Sequence, residues 1–254
     1  MSVVLMYHAL YHGDETDRID AEDLPYAVST SRFVAQLDAL QGKRVGLLNE
    51  KTANLPDVVI TFDDGHVSNY DIAMPLLAER GLSAYLFVTG DFIDARPHFC
   101  TGAQLRKMAD AGMEIGSHGM THRFFDDLDD AEADRELRQS MTELSDKCGA
   151  DVRSISFPGG RYSQRTLELC RGAGYSSLFG SAIGTVQNKD LVAIPPINRV
   201  AIRRNTTIQE FDRIINADSL YYSLQKGKQS AKTLLKRTLG NKIYHGLYKS
   251  ISAR

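Results

Sequence analysis

The chain has 254 residues with 30 Lys and Arg against 32 Asp and Glu, a formal charge of −2, and no nucleic-acid-binding motif accompanies its basic groups, so no nucleic-acid partner is expected. That length holds one α/β barrel or two small domains. No apolar run approaches the roughly 18 residues that would read as a membrane span, and the three cysteines, Cys100, Cys148 and Cys170, form no C-x-x-C pair.

Val3 to Tyr7 is predicted as a first strand that ends at Tyr7-His8, and is not read as the apolar core of a leader peptide. With the scattered thiols, this places the protein in the cytoplasm. Ala9 to Val28 is polar and irregular, with Gly13 and Pro25, and is expected as a long loop over the strand ends. Ser29 or Thr30 caps a helix carrying Phe33, Leu37 and Leu40. Val58-Val59-Ile60-Thr61-Phe62 is short and β-branched, so it reads as a buried parallel strand. Asp63-Asp64-Gly65 follows at its C-terminal end, where α/β folds gather their chemistry.

A helix is predicted from Ser68 to Arg80, kinked or delayed by Pro75 and ended by Gly81. Ser83 to Val88 is the next strand. Thr101 caps a helix closed by Gly112, and Met113 to Gly116 is a strand leading into Ser117-His118-Gly119-Met120-Thr121-His122. Asp130 to Lys147 is a charged helix with Leu137, Met141 and Leu144 on one face. Ser154 to Phe157 is a strand before Pro158-Gly159-Gly160, and Ser163 caps a helix running to Gly172 or Gly174. Tyr175 to Phe179 and Asn198 to Ile202 are the last strands, and a helix follows Thr206 or Thr207. About seven strand–helix units favour a closed barrel over an open sheet.

An Asp-Asp-Gly triplet alone is often only a turn. The histidine stretch changes its meaning. His118 and His122 are four apart, and on one helical turn they would share a face and bind one metal ion. One carboxylate from the first stretch makes three ligands and leaves a position open for water, the pattern of a catalytic zinc-type site.

Thr61-Phe62-Asp63-Asp64-Gly65 resembles the first motif of the polysaccharide deacetylases, the NodB-homology or carbohydrate esterase family 4 proteins. Ser117-His118-Gly119-Met120-Thr121-His122 resembles their second, and the likeness covers roughly the first 215 residues. It implies a distorted (β/α)7 TIM-like barrel of the NodB-homology type, here residues 1–218, followed by a basic helical tail, 219–254. It also implies hydrolysis of N-acetyl groups on an amino sugar or glycan, with release of acetate. By position in the motifs, Asp63 is the general base, and Asp64, His118 and His122 hold one divalent metal ion. Zinc is the first choice, with cobalt, nickel or manganese as alternatives.

Two family features are missing. The third motif usually begins with an arginine that orients the base, and Phe157 stands in its place. Arg161, four residues on, is a candidate substitute, although an exposed arginine is more often only a surface group. The Gly160 N–H is a candidate oxyanion donor, or part of a plain turn. The late Leu-x-His motif, which supplies the acid for the leaving amine, is also absent; Asn198 and Arg199 stand in that region. His8 is the replacement acid, and Tyr-His at this place resembles the subgroup related to the exopolysaccharide enzyme PgaB. Tyr26, Tyr162 and Phe92 sit in the expected rim loops, where aromatic faces stack on sugars but more often edge the core. The alternatives are a deacylase or deformylase of a small amide or lipid-linked sugar, and a carbohydrate-binding protein with a lapsed site.

Residues 219–254 carry eight Lys or Arg and no acid, so the preceding chain holds 22 basic and 32 acidic groups. Leu224, Ala231, Leu235, Leu239, Ile243, Leu247 and Ile251 recur mostly at four-residue steps beside Lys228, Lys232, Lys236 and Arg237. Such a helix either lies on an anionic membrane face or packs on the barrel.

Overall fold

A computed structural model describes residues 1–48, 54–188, 190 and 196–231. Seven parallel strands carry the fold: β1 (Val3–Tyr7), β4 (Val58–Phe62), β5 (Tyr85–Val88), β6 (Glu114–Ser117), β7 (Ser154–Ser156), β8 (Ser177–Phe179) and β9 (Val200–Ala201). Their order in the sheet is β8-β7-β6-β5-β4-β1-β9. The two edges meet on one stretch of chain. Ile197 bridges Phe179 of β8 in parallel, and three residues later Val200 and Ala201 pair with Leu5 and Met6 of β1. The ring is the expected distorted (β/α)7 barrel.

Strand alternation divides the apolar residues between two cores. Val3, Leu5, Tyr7, Val58, Ile60, Phe62, Leu86, Val88, Ile115, Ile155 and Leu178 point outward and pack beneath the helices. Val4, Val59, Tyr85, Phe87, Phe179 and Ile197 point inward and fill the barrel. The Tyr85, Phe87 and Phe179 rings lie 4.7–5.8 Å apart, a dry aromatic layer inside the ring.

The outer helices are α1 (Thr30–Asp38), α2 (Met74–Ala78), α3 (Gly102–Asp110), α4 (Asp130–Cys148), α5 (Gln164–Ala173) and α6 (Ile208–Ile215). Ser29, Thr101, Asp129, Ser163 and Thr207 cap five of them by accepting a backbone N–H three residues on. Each such cap contributes about 1 kcal/mol. The helix expected from Ser68 begins instead as a π-helix, Asn69–Ala73, and becomes α-helical only at Met74. Pro75 has no N–H to donate to the carbonyl four residues earlier, which favours the wider turn there.

The loop expected between Ala9 and Val28 is tied at its base. Leu10–Tyr11 (β2) and Val28–Ser29 (β3) form a small parallel pair, Leu24–Tyr26 makes a 3₁₀ turn, and Ala9, Ile19 and Ala27 form a small core of their own. All three cysteines are buried free thiols.

Residues 219–231 are helical (α7). Packing runs across the boundary expected after residue 218: Tyr222 belongs to the main core, and Gln229 bonds the backbone of Ser181 and Ile183 at 3.1 and 3.0 Å. This part of the tail therefore packs on the barrel. The rest of the expected tail, 232–254, lies outside the described residues.

Gly116 sits on β6 where a Cβ would stand 2.6 Å from both Phe87 Cδ1 and Ser154 Oγ. Gly116→Ala is expected to cost roughly 1–3 kcal/mol by overpacking. Urea unfolding should show a lower midpoint with an unchanged slope. A midpoint equal to the parent's would mean that Phe87 swings aside freely.

Candidate active site

Every expected polar group except Gly160 and Arg161 stands at the C-terminal rim around one point. Asp64 follows β4, His118 follows β6, and His122 lies four residues further on. Asp64 Oδ1 is 3.3 Å from His118 Nε2 and 3.2 Å from His122 Nε2. One ligand atom from each residue lies within 4.8 Å of the others. Asp64 Oδ1 is buried with no donor in hydrogen-bonding geometry among the described residues. The His118 Nδ1–H donates to the Ser156 carbonyl at 2.8 Å, which fixes the tautomer and leaves the Nε2 lone pair facing Asp64. An orphaned carboxylate oxygen between two imidazoles is a donor set that fits a divalent cation.

The electrostatics agree. Burial pulls the His118 ring down to about 4, so it is neutral and able to ligate at neutral pH. Burial pushes the Asp64 carboxyl up, but the surrounding imidazoles outweigh it and hold the group below the usual carboxylate range. For His122 burial acts downward and the Asp64 carboxylate raises the ring despite it.

The histidines do not share a helical turn, contrary to the sequence expectation. Residues 118–124 have no helical structure. Gly119 and His122 adopt left-handed backbone, φ +80° and +64°, and Asp64 does so as well, φ +74°. For a residue with a side chain that costs about 1–2 kcal/mol, so both ligands are held in place by their surroundings. Glu136 of α4 supplies much of the hold. Its Oε2 accepts the Met120 and Thr121 N–H groups at 2.7 and 2.9 Å, and its Oε1 accepts the Thr121 hydroxyl at 2.6 Å.

Asp63, next to the triad and 3% exposed, is gripped by Arg199. Arg199 Nη1 and Nη2 donate to its two oxygens at 2.7 and 2.8 Å. The same guanidinium donates to Thr61 Oγ1, Ser156 Oγ and the Gly180 carbonyl at 3.0, 2.6 and 2.8 Å. Burial by itself would raise the Asp63 carboxyl; the Arg199 charge outweighs it and keeps the group ionised. Arg199 is therefore the guanidinium that was sought at position 157 and then at Arg161. Arg161 is engaged elsewhere, with Asp126 and Asp127 at 2.9 and 2.6 Å and its guanidinium over the Phe124 ring. Gly160 is also spent: its N–H donates to the Phe157 carbonyl at 2.8 Å. With φ +65° and no room for a Cβ beside Ser181 Oγ, it is a turn glycine.

His8 follows β1 and lines a cleft of about 170 Å³ together with Asp64, Asp23 and His66. Its Nδ1 is buried without a partner among the described residues. Asn69, at the start of the π-helix, donates to its carbonyl at 2.8 Å and fixes the main chain. The Tyr26 ring stands 4.9 Å from the His8 ring. Phe92 stands 5.9 Å from His122, whereas Tyr162 packs on Phe157 behind the site.

Arg199 and Glu136 had sequence signals. Val200 and Ile202 face the outer core, so alternation turns Arg199 inward. Glu136 occurs in the buried stripe Ala133, Leu137, Ser140, Leu144 of α4, a place for an apolar residue unless the carboxylate has work inside.

Arg199→Met leaves Asp63 buried and unpaired, and should cost roughly 3–5 kcal/mol. The Asp63→Asn, Arg199→Met double variant should recover part of that in chemical denaturation; a double variant as unstable as the sum of the singles would mean the pair is not coupled. Glu136→Gln should weaken zinc binding roughly 10–100-fold in a competition titration while the far-ultraviolet spectrum is kept. Unchanged affinity would remove Glu136 from the site.

The polysaccharide deacetylase family model matches residues 50–178. Bacillus subtilis YxkH is 30% identical over 182 residues, covering 68% of this chain and 61% of that protein. A chitooligosaccharide deacetylase of Sinorhizobium fredii is 29% identical over 128 residues, covering 50% of this chain and 57% of that protein. The chain thus spans about three fifths of these relatives. Among solved structures, Streptococcus pyogenes deacetylase PplD in complex with acetate superposes with a TM-score of 0.73 at 21% identity, covering 84% of this chain and 97% of that one. IcaB from Ammonifex degensii gives 0.70 at 22%, covering 84% and 96%. Those likenesses establish the barrel, and the family match over half the sequence establishes the lineage: this chain belongs to the polysaccharide deacetylases.

Proposed function

We propose that this chain is a metal-dependent hydrolase that removes N-acetyl groups from an amino sugar within a glycan and releases acetate. The observation that carries the reading is the joint placement, on one barrel rim, of the Asp64–His118–His122 triad and the Asp63–Arg199 pair. Family membership and relatives named as deacetylases support it.

Asp64, His118 and His122 would hold one divalent ion, zinc by ligand type. Such an ion supplies Lewis acidity toward the amide carbonyl and the attacking water. Asp63 accepts the proton from that water. Arg199 holds both of its oxygens in place and keeps it ionised, so no rotamer search precedes the transfer. His8 gives a proton to the amide nitrogen as the carbon–nitrogen bond breaks, because an amine leaves poorly as an anion. Its place on the wall of the cleft that holds Asp64 supports that assignment. The products are acetate and a free amino sugar. The lapsed-site alternative drew on the missing arginine and the missing late histidine; Arg199 answers the first, and the His8 assignment addresses the second.

Acetate release from N-acetylglucosamine oligomers by the zinc-loaded chain, coupled to a metal assay, tests the whole reading. Asp63→Asn should keep zinc and lose about 10²–10⁴-fold in turnover. Turnover within a few-fold of the parent would place the base elsewhere. His8→Ala should lose amide hydrolysis while sparing activated acetate esters, whose leaving groups need no proton. Equal losses on both would leave His8 a packing role.

A further inference from the structure

A second, larger hollow adjoins the site. It has a volume of about 510 Å³, against about 170 Å³ for the cleft at Asp64, and so falls in the size range of ligand pockets. Its floor is the end of β9 and the turn after it, and its far wall is α7. Tyr26 links the two spaces: it lines the hollow, and its ring centroid is 4.9 Å from that of His8, which lines the cleft. The Arg203 guanidinium carbon lies 5.3 Å from the same ring centroid.

Its lining is polar and planar. Asn205 and Gln225 offer amides that both donate and accept, the pairing that sugar hydroxyls require. Tyr26 offers a ring face at the entrance. The charges are unbalanced. Glu210 already accepts from the Tyr221 hydroxyl at 3.2 Å, whereas Arg203 and Lys228 have no ion-pair partner among the described residues. Two exposed cations without an ion-pair partner among the described residues, against the single carboxylate of Glu210, leave this hollow net positive and suited to an anion.

We propose that this hollow is an accessory subsite for the sugar residues next to the one being deacetylated, and that Arg203 and Lys228 select a glycan with an anionic group there, carboxylate or phosphate. The inference rests on the glycan-deacetylase reading and adds the substrate's length and charge. It also gives α7 a task. Gln229 clamps that helix to the Ser181–Ile183 backbone, so Gln225 and Lys228 are presented to the hollow from a fixed wall.

The test is equilibrium binding to the zinc-loaded full chain carrying Asp63→Asn, which keeps the metal and does not turn the probes over, by calorimetry. Three tetrasaccharides serve as probes: neutral N-acetylglucosamine, one alternating N-acetylglucosamine with glucuronate, and one bearing a 6-phosphate. An anionic probe should bind about tenfold tighter than the neutral one, what two exposed ion pairs supply together. The preference should fade with added salt and vanish in Arg203→Gln, Lys228→Gln. Whichever of the two anionic probes shows the gain identifies the anion. Equal affinity for all three probes, or a preference that survives in the double variant, overturns the proposal. If the double variant misfolds, the salt titration of the chain that keeps Arg203 and Lys228 decides: a preference that salt leaves intact overturns the proposal just the same. Binding is read without turnover, so a chain that releases no acetate fails the deacetylase reading and still reports on the hollow.

Discussion

The buried pair between Asp63 and Arg199 is the constraint around which the upper half of the barrel is arranged. A guanidinium taken out of water costs several kcal/mol unless its hydrogens are all matched. Here the five N–H groups meet five acceptors, from β4, β7, the end of β8 and Asp63 itself. Those acceptors are spread from residue 61 to residue 180 and converge on one guanidinium inside the curled sheet. The interior is therefore layered: aromatic rings Tyr85, Phe87 and Phe179 below, and a fully paired polar layer above. The dry lower layer strengthens the electrostatics of the upper one, since little water competes there.

Around that layer the positioning is done by main chain. Glu136 reaches in from α4 and takes two backbone amides of the loop between the histidines. Asn69 reaches from the π-helix and takes the His8 carbonyl. In each case a side chain from an outer helix fixes a loop whose own side chains are left to face the cleft. The rim groups come after strands; Glu136 and Asn69 fix their loops from helices, while Arg199 and the Ser156 carbonyl orient Asp63 and His118 from the barrel itself.

Much of this was readable from residue order alone. Val58 to Phe62 announces a buried strand, and two carboxylates after it announce a rim. The His118–His122 pair was found by spacing, but the geometry inferred from spacing was wrong: a loop with Gly119 at φ +80° does the work assigned to a helical turn. Closeness in sequence to the expected motif points to Arg161, and nothing local points from Arg199 to Asp63, 136 residues away. Distance along the chain is a poor guide in a closed barrel, where the last strand lies beside the first. Glu136 passed as one more charge on a charged helix, since nothing local to α4 shows what it would meet. The turn at Gly159-Gly160 shows the converse: glycines that looked available for chemistry are consumed by backbone geometry.

The closure of the barrel has a consequence for how the protein fails. Arg199 lies between the residue that pairs with β8 and the two that pair with β1, just before the two-residue strand β9. That seam is held by few backbone bonds, and such places open at lower free energy than the body of a sheet. Each opening would withdraw the guanidinium from Asp63 while the other six strands stay paired. On warming, the Asp63–Arg199 contact would then be lost at the seam ahead of global melting. The same stretch of chain is both latch and switch.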